Sequence, residues 1–226
     1  MNIYLCQREK MKNLRFHIIL FLLFTLGQSL QGQIRVSSDV YTVKNGLSQS
    51  SVLDMAKDHA GFVWFATKDG LCRFDGYSFV NYKATTKQFH CSINNQFVQL
   101  VVDKYGFLWV RNSMGQAFCF NPHIHTFELF PNMAQNRGEN FVSVRQIMAN
   151  TNGDVWLLGD NNGVVRVRHK GQTLEQTIFC TSRSPQIGNI VNYEFRTSNG
   201  LTCLLTNRGF AVIKDNDNKT EHVFYA

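Results

Sequence analysis

The sequence predicts an all-β fold, a β-propeller of four-stranded antiparallel blades, on three observations. Glycines at positions 61, 106, 153 and 200 recur at intervals of 45, 47 and 47 residues. Three residues after each stands Trp64, Trp109, Trp156 and, in the last copy, Cys203. No long 3.6-residue apolar periodicity follows residue 35, so the repeat is not a helical solenoid. A unit of this length with four short apolar runs cannot bury both faces of its own sheet. Set radially about an axis, each sheet covers its neighbour. The three tryptophans then serve as packing anchors between blades, since one residue type in the same slot of every copy is a core device rather than a ligand platform.

Residues 1–32 stand apart. Arg8, Lys10, Lys12 and Arg15 precede an 11-residue apolar run, Phe16 to Leu26, followed by Gly27, Ser29 and Gly32. That layout is a secretory signal peptide, and the run is short of the ~20 residues a spanning helix needs. A retained signal anchor is the rival reading. Met11 to Arg15 makes an n-region by itself, so the start is either Met1 or Met11. The whole chain carries 23 basic and 16 acidic residues, a net +7. Without residues 1–32 there remain 19 basic against 15 acidic residues, a net +4 that is unclustered. This gives no support to nucleic-acid binding.

Residues 33–226 form a partial propeller. Val40 to Val43 reads as a ring-closing strand without partners ahead of it, the counterpart of an outer strand such as Phe79 to Tyr82. Because His222 to Tyr225 already supplies the outer strand of the fourth blade, residues 40–43 belong to a blade beyond these four. The expectation is four blades of a seven-bladed ring; a closed four-bladed ring leaves residues 40–43 without a role. The first blade covers residues 52–82, with turn signals at Lys68-Asp69-Gly70 and Asp75-Gly76. Residues 83–96 read as a polar surface loop. The second blade covers 97–130, the third 142–179 after a polar loop at 132–140, and the fourth 190–225 after a connector at 182–188. Asp215 to Lys219 reads as a solvated hairpin tip rather than a calcium loop, for want of a bidentate Glu.

The first copy carries a resemblance. Asp58, Gly61, Trp64, Thr67, Gly70, Leu71, Arg73, Phe74, Asp75 and Gly76 match the two-component regulator propeller repeat, and Asn45 to Val52 resembles its usual lead-in. The second copy keeps Asp103, Gly106, Trp109 and Gly115; the third keeps Gly153, Trp156 and Gly163; the fourth keeps Gly200, Gly209 and the apolar rhythm. The resemblance implies the extracytoplasmic sensor half of a hybrid two-component histidine kinase of the Bacteroides type, many of which sense glycans. It implies a periplasmic location, with the parent anchored in the inner membrane. Partners would be an oligosaccharide ligand, further blades and downstream signalling domains in a longer chain, and a second copy in a homodimer. Histidine-kinase chemistry would need domains that this sequence does not contain, so no catalytic residue is assigned.

Other chemistry is sparse. There is no G-x-S-x-G, Walker loop or H-E-x-x-H. His123 and His125 lack the Cys or carboxylate partners of a metal site, and no cofactor or metal is expected. Asp58, Asp75 and Asp103 sit where turns need side-chain acceptors. Cys72, Cys91, Cys119, Cys180 and Cys203 share no repeat slot and read mostly as buried thiols. In a four-stranded blade, the loops entering each inner strand share a face with the loops joining strands two and three. That face collects Asn45, Gln49, Lys68, Asp69, Asn95, Gln96, Asn112, Asn140, Phe141, Asn189 and Arg208. Amides with a few charges can hydrogen-bond sugar hydroxyls, or can be ordinary turns. Two function classes stay open: a saccharide-binding sensor, and a structural or protein-binding propeller.

Overall fold

The structure is a computed structural model that describes residues 16–21, 37–89, 91–130, 143–161, 163–171, 173–179, 190–198, 200–216 and 219–225, with side chains up to Ile213. The chain divides into two units, Met1–Val40 and Tyr41–Ala226. In the first, residues 16–21 are helical; among the described residues no helix is long and apolar enough to cross a membrane.

The second unit is a β-propeller of four antiparallel blades. Blade 1 is β1 (Val52–Lys57), β2 (Val63–Thr67), β3 (Gly70–Phe74) and β4 (Phe79–Tyr82), paired in that order. Blade 2 is β5 (Phe97–Val102), β6 (Leu108–Asn112), β7 (Ala117–Asn121) and β8 (Thr126–Phe130). Blade 3 is β9 (Val144–Ala149), β10 (Val155–Gly159), β11 (Val164–Lys170) and β12 (Thr173–Phe179). Blade 4 is β13 (Val191–Arg196), β14 (Thr202–Thr206), β15 (Gly209–Asn216) and β16 (Lys219–Tyr225).

Three apolar clusters fill the gaps between successive blades. Trp64, Ala66 and Leu71 pack on Phe97, Leu100, Leu108 and Phe118. Trp109, Ala117 and Cys119 pack on Val144, Ile147 and Val155. Trp156, Leu158 and Val164 pack on Val191, Leu204 and Ala211. All three indoles are fully buried. Removing one would cost about 3–5 kcal/mol, the range for a large aromatic cut to Ala in a core.

Each inner strand carries the same irregularity. The register slips at the second residue of β1, β5, β9 and β13, leaving Leu53, Val98, Arg145 and Asn192 without a direct partner. Bulges twist and bend a strand, and here they recur at the repeat period. Inner strands of neighbouring blades do not pair, so side chains bridge their edges instead. Asp54 Oδ2 accepts from the Leu100 N–H at 2.8 Å. The Gln99 amide brackets Ile147, accepting from its N–H at 2.9 Å and donating to its carbonyl at 2.8 Å. Arg145 donates to the Val191 carbonyl at 2.7 Å.

Two expectations are corrected. Val40 to Val43 forms no strand: Val43–Asn45 is a single 3₁₀ turn, capped by the Thr42 hydroxyl, and Tyr41 lies against Phe74 at 4.9 Å. A short cap motif followed by Gly46 at φ +104° outcompetes the β-branched residues' strand preference. Beyond it, Leu47 is buried and Ser48 bonds Thr67 at 2.8 Å, so the lead-in lies on the rear face of blade 1. Residues 83–96 are likewise more than a surface loop. Thr86–Phe89 makes one helical turn, and Ala84, Phe89 and Ile93 join the core between blades 1 and 2. The loops at 132–140 and 182–188, Cys180, and the centre of the 215–219 tip lie outside the described residues. Cys72, Cys119 and Cys203 are free and buried, and Cys91 is free and partly exposed.

Gly61 and Gly153 occupy the same turn at φ +96° and +100°. A Cβ at Gly61 meets nothing, whereas at Gly153 it would lie 2.7 Å from the Tyr105 ring of the preceding blade. Gly61→Ala should therefore cost only the left-handed backbone penalty, about 1–2 kcal/mol. Gly153→Ala should cost clearly more. Urea unfolding of the two variants measures the difference, and equal losses would show that Tyr105 yields freely.

Candidate functional site

The β1–β2 type turns and the outer hairpin turns share one end of the blades; the β2–β3 type turns and the loops entering the inner strands share the other. At the second end, backbone bonds tie neighbouring blades, Gly70 N–H to Asn95 O at 2.9 Å and Val144 N–H to Gly115 O at 2.8 Å, while Ser113 N–H to Gln96 O at 2.9 Å closes the end of blade 2 itself. This end holds the residues expected to meet a ligand, and the structure sorts them. Asn112 is fully buried. Its amide nitrogen donates to Asn94 O and Gln116 Oε1, while its oxygen accepts from Met114 N–H and Gln116 N–H, so no capacity remains. Asn95 closes on the Ala84 backbone in both directions, at 2.8 and 2.9 Å. Asn45 caps its own 3₁₀ turn through Thr42, and the Gln49 side-chain oxygen accepts from Ser51 N–H. Lys68 and Arg208 are exposed. Asp69 pairs with Lys83 at 2.6 Å, both about half exposed, so this pair contributes little to stability. Gln96 is partly exposed. Asn140, Phe141 and Asn189 lie outside the described residues.

The opposite end is organised by the turn motif. The Asp58 carboxylate accepts from Phe62 N–H at 2.9 Å and the Trp64 indole N–H at 2.7 Å. Asp103 repeats this with Tyr105 N–H, Phe107 N–H and the Trp109 indole, at 2.9, 3.0 and 2.9 Å. The motif aspartate thus closes the turn and satisfies the buried indole together. Asp75 works similarly in the outer hairpin, where backbone bonds from Ser78 and Tyr77 lower its pKa.

Blade 3 departs from this scheme. Asn150 replaces the aspartate, and its amide nitrogen donates to Glu194 of blade 4 at 3.1 Å. The buried Trp156 indole N–H is left without an acceptor. The reason is electrostatic. Burial, first, and then Asp154 push the Glu194 carboxyl above its usual pKa, against the Asn150 hydrogen bond and the weaker pull of Arg196. A third carboxylate at position 150 would raise the penalty further.

Blades 2 and 3 also form a pocket of about 650 Å³ at this end, open to solvent. Its lining includes Tyr105, Phe107, Asn121, Glu128, His169 and Leu174. The β11–β12 hairpin is longer than its counterparts β3–β4 and β7–β8. The extension brings His169 Nε2 to 3.0 Å from Asp103 Oδ2, across a sequence gap of 66 residues. The imidazole packs on Tyr105 and Phe107, with ring centroids 4.1 and 4.8 Å away. Sequence reasoning missed this site because Glu128 and His169 fall outside the repeat slots, and the two polar residues in such slots, Asp103 and Asn121, read as turn-makers. The available signal was Arg168-His169-Lys170-Gly171, running on where the first copy turns at Asp75-Gly76.

Among the described residues no group of three or more metal-ligating side chains occurs. No family model matches the chain. The fold is that of the bladed extracellular domains of bacterial two-component systems. In one crystal structure, the extracellular domain of a hybrid two-component system from B. thetaiotaomicron, the likeness has a TM-score of 0.59 at 21% identity over 83% of this chain. In another, the extracellular domain of a one-component system from the same organism, the TM-score is 0.52 at 20% identity over 85% of this chain. In each case the chain spans 26% of the larger domain. A stretch of 68 residues, 30% of the chain, is 40% identical to Histidine kinase P4 of Formosa agariphila and spans 5% of that protein.

The Glu194 argument fixes a sign. A carboxyl whose folded pKa lies above the unfolded value of about 4.5 destabilises the fold at neutral pH, and that penalty vanishes as pH falls below the unfolded value. Glu194→Gln keeps an acceptor for Asn150. It should raise the melting temperature at pH 7, with the gain shrinking towards zero near pH 4. Asn150→Asp should lower stability alone and lose less in the Glu194→Gln background. Melting curves of the four proteins across this pH range check both statements.

Proposed function

We propose that the chain is part of the exported sensor region of a two-component system protein, and that its ligand is an oligosaccharide. One observation carries the sensor role: a propeller fold shared with extracellular domains of such systems occurs in a chain with a 40% identical stretch of a histidine kinase. Residues 1–32 supply the export signal, and the parent is held in the inner membrane with the propeller in the periplasm. Phosphotransfer belongs to other domains of the parent. The ligand face is the end that carries Lys68, Gln96 and Arg208, whose side chains reach solvent, together with the loops containing Asn140, Phe141 and Asn189. Asn112 and Asn95 act there as scaffold.

Further blades complete the ring, seven in all. In blade 4 the paired Leu205 and Phe210 are 46% and 43% exposed, whereas the register-equivalent pairs Ala66–Leu71 and Leu158–Val164 are at 0%. Another blade covers this face in the same way.

A structural or protein-binding propeller is the second reading, favoured by the internal use of the Asn112 and Asn95 amides. Titration calorimetry of the parent's whole extracytoplasmic region against an oligosaccharide panel separates the two. The sensor reading expects at least one oligosaccharide to bind, and Lys68→Ala with Arg208→Ala to weaken it about tenfold or more, the loss of ~1.4 kcal/mol. No binding across the panel, with a protein partner recovered instead, supports the second reading.

A further inference from the structure

We propose that the cavity between blades 2 and 3 binds a small organic ammonium ion, with Glu128 as its counter-charge and Tyr105 and Phe107 as its aromatic wall. The inference does not rest on the signalling role. Both walls of the cavity are built by blades wholly within this chain, and its volume of about 650 Å³ falls in the range of about 300–1,000 Å³ typical of small-molecule sites.

The lining selects the charge of the ligand. It contains no lysine or arginine. Of the basic residues beside His169 in sequence, Arg168 holds Asp154 through two bonds of 2.6 and 2.9 Å, and the exposed Lys170 lies 3.4 Å from Glu175. Glu128, by contrast, makes no ion pair among the described residues, and it projects from β8 directly opposite Cys119. Its side chain reaches solvent, and the burial of its inner side raises the pKa of its carboxyl.

The imidazole adds an acceptor. Asp103 already receives three N–H donors, and a carboxylate can only accept, so the His169 bond places the ring proton on Nε2. In the neutral ring, Nδ1 is then an acceptor. Asp103 is 1% exposed and holds this tautomer from below. The Glu128 carboxylate offers acceptors to a donor-rich head group, joined by His169 Nδ1 when the ring is neutral. Phe107 and Leu174, partly buried, with the exposed Tyr105 and Ile124, offer a ring-faced apolar wall open to solvent, and aromatic faces attract cations at exposed sites too. An anion would meet the Glu128 carboxylate with no lysine or arginine in the lining to compensate.

The test uses the whole chain and three probes that share a phenyl ring and carry head groups of different charge: phenethylamine, 2-phenylethanol and phenylacetate. Two-dimensional amide NMR of the wild-type protein should show phenethylamine shifting Tyr105, Phe107 and His169. It should bind about tenfold or more tighter than 2-phenylethanol, with phenylacetate producing no shifts. Glu128→Gln should reduce phenethylamine affinity to the level of 2-phenylethanol, leaving the 2-phenylethanol affinity unchanged and the melting temperature at pH 7 no lower than that of the wild type. Leu174→Trp should exclude both probes. Equal binding of the three probes, shifts elsewhere in the protein, no shifts with phenethylamine, or phenethylamine affinity indifferent to Glu128→Gln would each overturn the assignment.

Discussion

Every blade depends on the next one for cover. A four-stranded sheet with Trp64, Ala66 and Leu71 on one face has no stable solvent-exposed form, because burying one large aromatic already accounts for a few kcal/mol against a marginal total. The indole is the tall element in each gap, and its size explains why a near-constant residue sits three positions after the turn glycine. It also imposes a polar requirement. An indole N–H in the core needs an acceptor, and the acceptor must come from the end of the blade, where the chain turns. Placing an aspartate six residues before the tryptophan meets that need and closes the turn in one step, as Asp58 and Asp103 show.

This coupling makes the blade 3 exception intelligible. Trp156 keeps its position while Asn150 abandons the indole to hold Glu194. Two demands meet at one residue: a neutral donor for a buried carboxylate on the next blade, and an acceptor for an indole on its own. The first involves a charge and prevails, since an uncompensated buried carboxylate is costlier than one unmade neutral hydrogen bond. What looks like decay of a repeat is here a response to a neighbour.

Much of the fold was legible because its rules are local. Glycine spacing marked the turns, since positive φ at Gly61, Gly106, Gly153 and Gly200 admits little else, and alternating apolar runs marked the strands. The bulges at Leu53, Val98, Arg145 and Asn192 were not legible, although periodic, because a bulge is a property of a pair of strands. Equal glycine spacing also concealed a difference. Thr67 pairs with Gly70 across a two-residue turn, while Gly115 lies within a three-residue turn closed by Asn112 and Gln116. The 3₁₀ turn at Val43–Asn45 was read as strand because β-branched residues carry that propensity; the capping bonds from Thr42 and Asn45 decided otherwise. At the expected ligand face, residue type was a poor guide to role. Asn serves a turn and a sugar hydroxyl with the same amide, and only the hydrogen-bond count of Asn112 and Asn95 separates the two uses.

Repetition itself is why the cavity escaped a reading by period. Alignment on a common slot weights what the blades share, and what they share is the means of stacking. A site that serves one ligand must break the symmetry. Here the break is a longer outer hairpin in blade 3 that lowers His169 onto the turn of blade 2. Tyr105 then packs on that imidazole and over Gly153, whose missing side chain leaves room for the ring, while about half of it stays exposed. A glycine retained for its backbone angle in every blade thus acquires a second use in this one. In a propeller, residues at the shared slots account for the ring, and those beyond the ends of the standard strands are where individual chemistry is placed.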